Sequence, residues 1–108
     1  MDVTPTTEEL ANIPALYSTE EIPFDEKMIY AHFAYFNNGK VTYWFVAEYA
    51  PEERLFFGFV LLNSWFDCAE WGYISFDELL IIPGIMNIKM EKPVSFKEMY
   101  EKFIKPIK

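Results

Sequence analysis

At 108 residues the chain has room for one hydrophobic core and not for two. Its composition, 52% hydrophobic and 19% aromatic with 24% charged residues, excludes an intrinsically disordered chain. The net charge of −8 argues against direct nucleic-acid binding, which needs a basic footprint to displace counterions.

In chain order, Thr6-Thr7-Glu8-Glu9 has the spacing of a capping box and opens a short helix that Pro14 stops. Residues 14–27 carry Pro14 and Pro23 and read as irregular, pinned to the core by Leu16, Tyr17 and Ile22. Met28 to Asn37 and Lys40 to Tyr49 are strand-like runs around Asn38-Gly39, the preferred pair for a type I′ hairpin turn. With those two as the loop, partner numbers sum to 77: Phe33 faces Trp44, His32 faces Phe45, and Ile29 faces Glu48. Both faces of this hairpin are largely apolar, which predicts cover on both sides, or on one side by a partner.

Leu55 to Leu62 reads as a third strand, in which Gly58 marks a bulge or a close backbone approach. Glu70 to Ser75 reads as a fourth. Ser75-Phe76-Asp77-Glu78 and Ser95-Phe96-Lys97-Glu98 are two more capping boxes, and residues 85–90 suit an edge strand. Phe96, Met99, Tyr100, Phe103 and Ile104 fall on one helical stripe suited to docking on a sheet. The expected architecture is a single α+β domain over residues 1–108. It consists of an antiparallel four- to five-stranded β-meander with two to three short helices, the C-terminal one amphipathic and packed on the sheet.

Several segments together resemble a family of small uncharacterised proteins encoded on bacterial phages, plasmids and integrative elements. They are Ile13 to Pro23, Lys27 to Ala31, Tyr43 to Val46, Leu55 to Val60 and Glu70 to Ser75 with Glu78-Leu79. The connection 63–69 is more apolar than in that family, and its Gly-rich stretch is reduced here to Pro83-Gly84-Ile85-Met86. The resemblance implies a setting on a mobile genetic element and no particular chemistry.

No chemical motif emerges. Cys68 and His32 are the lone members of their types, which leaves no metal-ligand spacing and makes a Cys–His nucleophile a matter of chance. Paired acids sit at helix starts and in a turn, and no phosphate-binding or nucleophile-elbow pattern exists. The expectation is a protein without catalytic residues, metal or cofactor. Neither a signal peptide nor an apolar stretch of membrane-spanning length is read in the sequence, and a single cysteine leaves no internal bridge, so the expected setting is the cytoplasm.

Charge is uneven. Residues 1–26 carry seven acids and no base, whereas residues 85–108 carry six lysines against three glutamates. Two functional readings follow. One is a module that binds a protein partner through the acidic Glu20, Glu21, Asp25 and Glu26 and the loop aromatics Trp65 and Phe66. In one version it is an inhibitor whose carboxylates imitate phosphates in a nucleic-acid-handling host protein. Trp65 and Phe66 would equally serve a homodimer contact, or fold back with their loop onto the core. The other reading is a small-ligand module or enzyme with a cleft around Trp44, Glu48, Glu70, Trp71 and Tyr73.

Overall fold

The structure is a computed structural model that describes residues 3–108; Asp2, one of the acids counted above, lies outside them. It is α+β, with seven strands in two antiparallel sheets. In chain order these are α1 (Thr7–Ala11), β1 (Met28–Ile29), β2 (Ala31–Asn37), β3 (Lys40–Ala50), β4 (Leu55–Leu61) and β5 (Glu70–Ser75). Then come α2 (Phe76–Leu80), β6 (Met86–Ile88), β7 (Val94–Ser95) and α3 (Phe96–Met99), which continues as a π-turn over Tyr100–Ile104 and a 3-10 turn over Lys105–Ile107.

The large sheet runs β5-β4-β3-β2-β6. Its first four strands in sequence form the meander, and the chain then crosses through α2 to add β6 on the far edge beside β2. The hairpin turn has both φ angles positive, 51° at Asn38 and 77° at Gly39, as a type I′ turn requires. From Asn37↔Lys40 to Ala31↔Val46 every pair sums to 77. The expected Ile29–Glu48 pair is not formed. Tyr30 ends the regular pairing, its N–H donating to Val46 O at 2.8 Å. Ile29 turns to β7, where Ile29↔Val94 and Met28↔Ser95 build a second, two-stranded sheet.

All three helix starts are capped. Thr6 and Glu9 exchange both bonds of the capping box, and Ser75 and Ser95 accept from the backbone N–H of Glu78 and Glu98. Gly58 sits where a Cβ would lie 2.0 Å from Phe45 O, so the glycine is there for a close backbone approach.

Alternation along the strands sends side chains to two cores. Phe45, Tyr43, Phe59 and Leu61 pack under Phe96, Met99 and Ile104 of the C-terminal helix. Phe33, Trp44, Phe56 and Ile74 pack under Phe76 and Leu79 of α2 and Ile13 after α1. The hairpin is therefore covered on both faces, which is why β3 is buried from Val41 to Tyr49. One irregularity breaks the alternation: the β3–β4 register shifts between Val46↔Gly58 and Glu48↔Phe57, leaving Ala47 as the extra residue of a β-bulge.

Candidate functional site

The bulge determines where Glu48 goes. Adding one residue keeps Glu48 on the face of Phe45 and Ala47 and sends Tyr49 to the opposite core. Its carboxylate then meets the irregular segment 14–27, which crosses this end of the sheet. Oε1 accepts the Tyr17 N–H at 2.7 Å, and Oε2 accepts the Thr19 N–H at 3.2 Å together with the Thr19 hydroxyl. The Lys27 ammonium donates to the Thr19 carbonyl and, at 2.9 Å, to its hydroxyl, and lies 3.9 Å from Glu48. Lys27 and Glu48 are both buried, so each charge has the partner that burial demands.

This polar cluster holds the segment 14–27 away from β4 and β5 and leaves a cleft of about 490 Å³ between them. Four aromatic side chains, Tyr17, Phe24, Phe57 and Tyr73, line it, with Ile22 and Pro23. Tyr17 and Tyr73 approach edge to face with their hydroxyls 3.1 Å apart, and each is 56% exposed. The hydrogen bond to Tyr73 holds the Tyr17 hydroxyl above the usual tyrosine range, and the charges of Glu53 and Glu20 push the same way. Glu20 and Glu21 stand exposed in the same lining. Behind the cleft Trp71 stacks on Phe24 at 4.8 Å and on Phe57 at 5.7 Å, with the Phe96 ring 5.0 Å away.

The two sets of residues singled out in the sequence therefore partly converge. Glu20 and Glu21 from the acidic set meet Glu48 and Tyr73 from the cleft set. The remaining residues lie elsewhere. Trp44 is buried on the opposite face of the sheet, because the strand period places it with Phe33 and Val46. Glu70 is exposed at the start of β5, and Trp71 supports the wall without lining the cleft. Asp25 faces a separate groove beside Phe96, Lys97 and Tyr100 of the C-terminal helix, and Glu26 is exposed next to it. The loop aromatics part company: Phe66 folds onto the core under the C-terminal helix while Trp65 remains 63% exposed.

Phe24, Lys27 and Phe57 escaped the sequence reading, and Tyr17 and Ile22, expected to pin the segment to the core, are instead exposed in the cleft lining. A signal was present for one of the three, since Lys27 is the lone Lys or Arg in the first 39 residues and Glu48 is an acid inside an apolar strand. Such a pair, once buried, has to meet.

Comparison with known proteins comes out blank. No family model, curated protein or solved structure matches the chain.

Chemically, the lining of the cleft holds three glutamates, Glu20, Glu21 and Glu48, against one lysine, Lys27. Both oxygens of Glu48 accept bonds from backbone or hydroxyl donors, which tie its carboxylate to the segment 14–27. Its charge and that of Lys27 offset one another, which leaves Glu20 and Glu21 to set the sign of the opening. Aromatic faces beneath carboxylates suit a cation with an apolar stem. Among the described residues no group of three or more His, Cys, Asp or Glu is placed to hold a metal ion. No helix of the described residues is long and apolar enough to cross a membrane.

Proposed function

We propose that the protein is a non-catalytic binding module that captures a basic side chain of a protein partner in the cleft between residues 17–24 and strands β4–β5. The observation that carries this reading is the joint presence of four aromatic side chains and the exposed Glu20 and Glu21 around one opening whose internal ion pair is already matched. An arginine entering there would stack on the rings and bond to a carboxylate, which recognises both its planar face and its charge.

The wider setting follows from the same chemistry. An acidic protein with this opening suits a partner with a basic groove, such as a nucleic-acid-handling protein of a host cell, and the resemblance to proteins of mobile elements supports an inhibitor of that kind. A free small cation is the second reading, favoured by the volume of about 490 Å³, which falls in the range of about 300–1,000 Å³ found for small-molecule sites.

Calorimetric titration with a short peptide bearing one arginine between apolar residues tests the reading. Tyr73→Ala and the pair Glu20→Gln/Glu21→Gln should each weaken binding about tenfold, a loss of about 1.4 kcal/mol. Asp25→Asn/Glu26→Gln, which removes equal charge outside the cleft, should leave it nearly unchanged. Equal losses from both acidic pairs with none from Tyr73→Ala would reduce the binding to diffuse attraction and overturn the proposal. Competition by tetramethylammonium at millimolar concentration, with no affinity for the peptide, would favour the small-cation reading instead.

A further inference from the structure

A second cavity lies on the other side of the C-terminal helix. It occupies about 340 Å³ between that helix and the segment 88–94, and the imidazole of His32 forms part of its wall. His32 is 1% exposed, and neither ring nitrogen has a hydrogen-bond partner among the described residues. Buried polar atoms are nearly always paired, so an imidazole with both nitrogens idle is a place where a ligand has something to gain. Its surroundings explain the isolation. Rings of Phe45, Tyr43 and Phe103 enclose it at centroid distances of 4.9, 5.1 and 4.6 Å. Burial, with a smaller push from the Lys102 charge, lowers its pKa to about 4, so at neutral pH it is an uncharged donor and acceptor.

The remaining walls define the ligand. Met90, Met99 and Phe103 offer an adaptable apolar lining, while Lys92 and Lys102 bring positive charge. Glu91 and Glu98 also reach this cavity, and Lys89 is held 3.1 Å from Glu9. Even so, the segment 85–108 is the one stretch of this acidic chain with an excess of lysine. Phe103, the ring nearest His32, belongs to the π-turn Tyr100–Ile104, and such turns are frequent where a helix serves a binding site.

We infer that this cavity binds a small amphipathic carboxylate, with its apolar body against Met90, Met99 and Phe103 and its head group between His32 and Lys102. A monocarboxylate matches the donors present, one imidazole N–H and an ammonium, whereas a phosphate dianion would leave acceptor oxygens unpaired in an apolar enclosure. Seating the head group requires the Phe103 ring to move aside, and the π-turn is the element that moves with it.

His32 is the sole histidine, so its Cδ2–H and Cε1–H NMR signals are assigned without ambiguity and report on the wall of this cavity. The probe is octanoate, with octanol as its uncharged counterpart. These signals should move and saturate with octanoate, octanol should bind at least tenfold more weakly, and Lys102→Gln, an exposed change that leaves the fold alone, should weaken octanoate about tenfold. The imidazole titration midpoint should also rise above about 4 in the octanoate complex, because a carboxylate beside the ring favours its protonated form. A His32 signal that stays still through millimolar octanoate would overturn the proposal. So would octanol binding as tightly as octanoate, with Lys102→Gln having no effect.

Discussion

The backbone N–H of Tyr17 donates to Oε1 of Glu48 at 2.7 Å, joining a residue with a φ of 70° to a carboxylate delivered by a β-bulge. A tyrosine in the left-handed region costs of order 1–3 kcal/mol and persists where its surroundings over-determine it. Here Glu48 does so, and Lys27 balances the charge that Glu48 brings inside. The shape of the cleft thus depends on a polar cluster in its inner wall, which Lys27 and Glu48 also line.

Removing the carboxylate should be expensive. Glu48→Ala strands the buried Lys27 ammonium and frees Tyr17 and Thr19, so unfolding in denaturant should show a loss of about 3–5 kcal/mol. The double change Lys27→Met/Glu48→Leu removes both charges and should recover much of that loss, yet it should still weaken cation binding because Tyr17 loses its anchor. A loss below 1 kcal/mol in Glu48→Ala would show that the cluster does not hold the segment.

The two strand glycines should behave in opposite ways. Gly58→Ala places a methyl group 2.0 Å from the Phe45 carbonyl oxygen, and the sheet has to shift. The expected cost is about 3 kcal/mol, the upper part of the range for overpacking. Gly72 pairs directly with Gly58 but has nothing within 4 Å of its would-be Cβ, so Gly72→Ala should be nearly neutral. Similar thermal unfolding temperatures for the two variants would contradict the close approach.

His32 should make stability depend on pH in a definite direction. Its folded pKa of about 4 lies below the unfolded value near 6.5, so between these limits the unfolded chain binds the extra proton. Stability therefore falls as pH drops through 6.5 and stops falling from this cause below about 4. The difference of about 2.5 pKa units corresponds to about 3 kcal/mol. Carboxylates titrate in the same window, so the measurement is the comparison with His32→Leu. The variant should gain about 3 kcal/mol relative to the parent between pH 7.5 and pH 4, and parallel stability profiles would refute the assignment.

Much of the fold was legible because local chemistry and long-range pairing agree. Asn38-Gly39 sets a turn whose geometry fixes the register of seven pairs, and three Ser/Thr-x-x-Glu sequences mark the helix starts. The apolar stripe of Phe96, Met99 and Ile104 names the helix face that meets the sheet. The bulge at Ala47 was not legible, since one extra residue in an apolar strand leaves no mark in composition. That single residue sets the face to which Glu48 turns, and with it the position of the cleft, while Ile29 leaves the hairpin to pair with Val94. Trp44 faces Phe33 as the hairpin register predicts and lies in the opposite core from Trp71, so the cleft reading that grouped the two does not hold. Phe66 and Trp65 are adjacent and look alike in sequence, and only packing against the core tells them apart.

The most direct test of cation capture is the rate at which the arginine peptide associates and dissociates at low and at physiological salt. Exposed charges are screened over about 10 Å at 0.1 M, and steering acts on the encounter. Association should therefore slow with salt and slow again in Glu20→Gln/Glu21→Gln, while dissociation changes little in that variant. Tyr73→Ala should do the reverse, leaving association intact and speeding dissociation about tenfold, because the ring acts after the encounter. Association indifferent to salt and to both glutamates, together with unchanged dissociation from Tyr73→Ala, would contradict the assignment of this cleft to a basic partner.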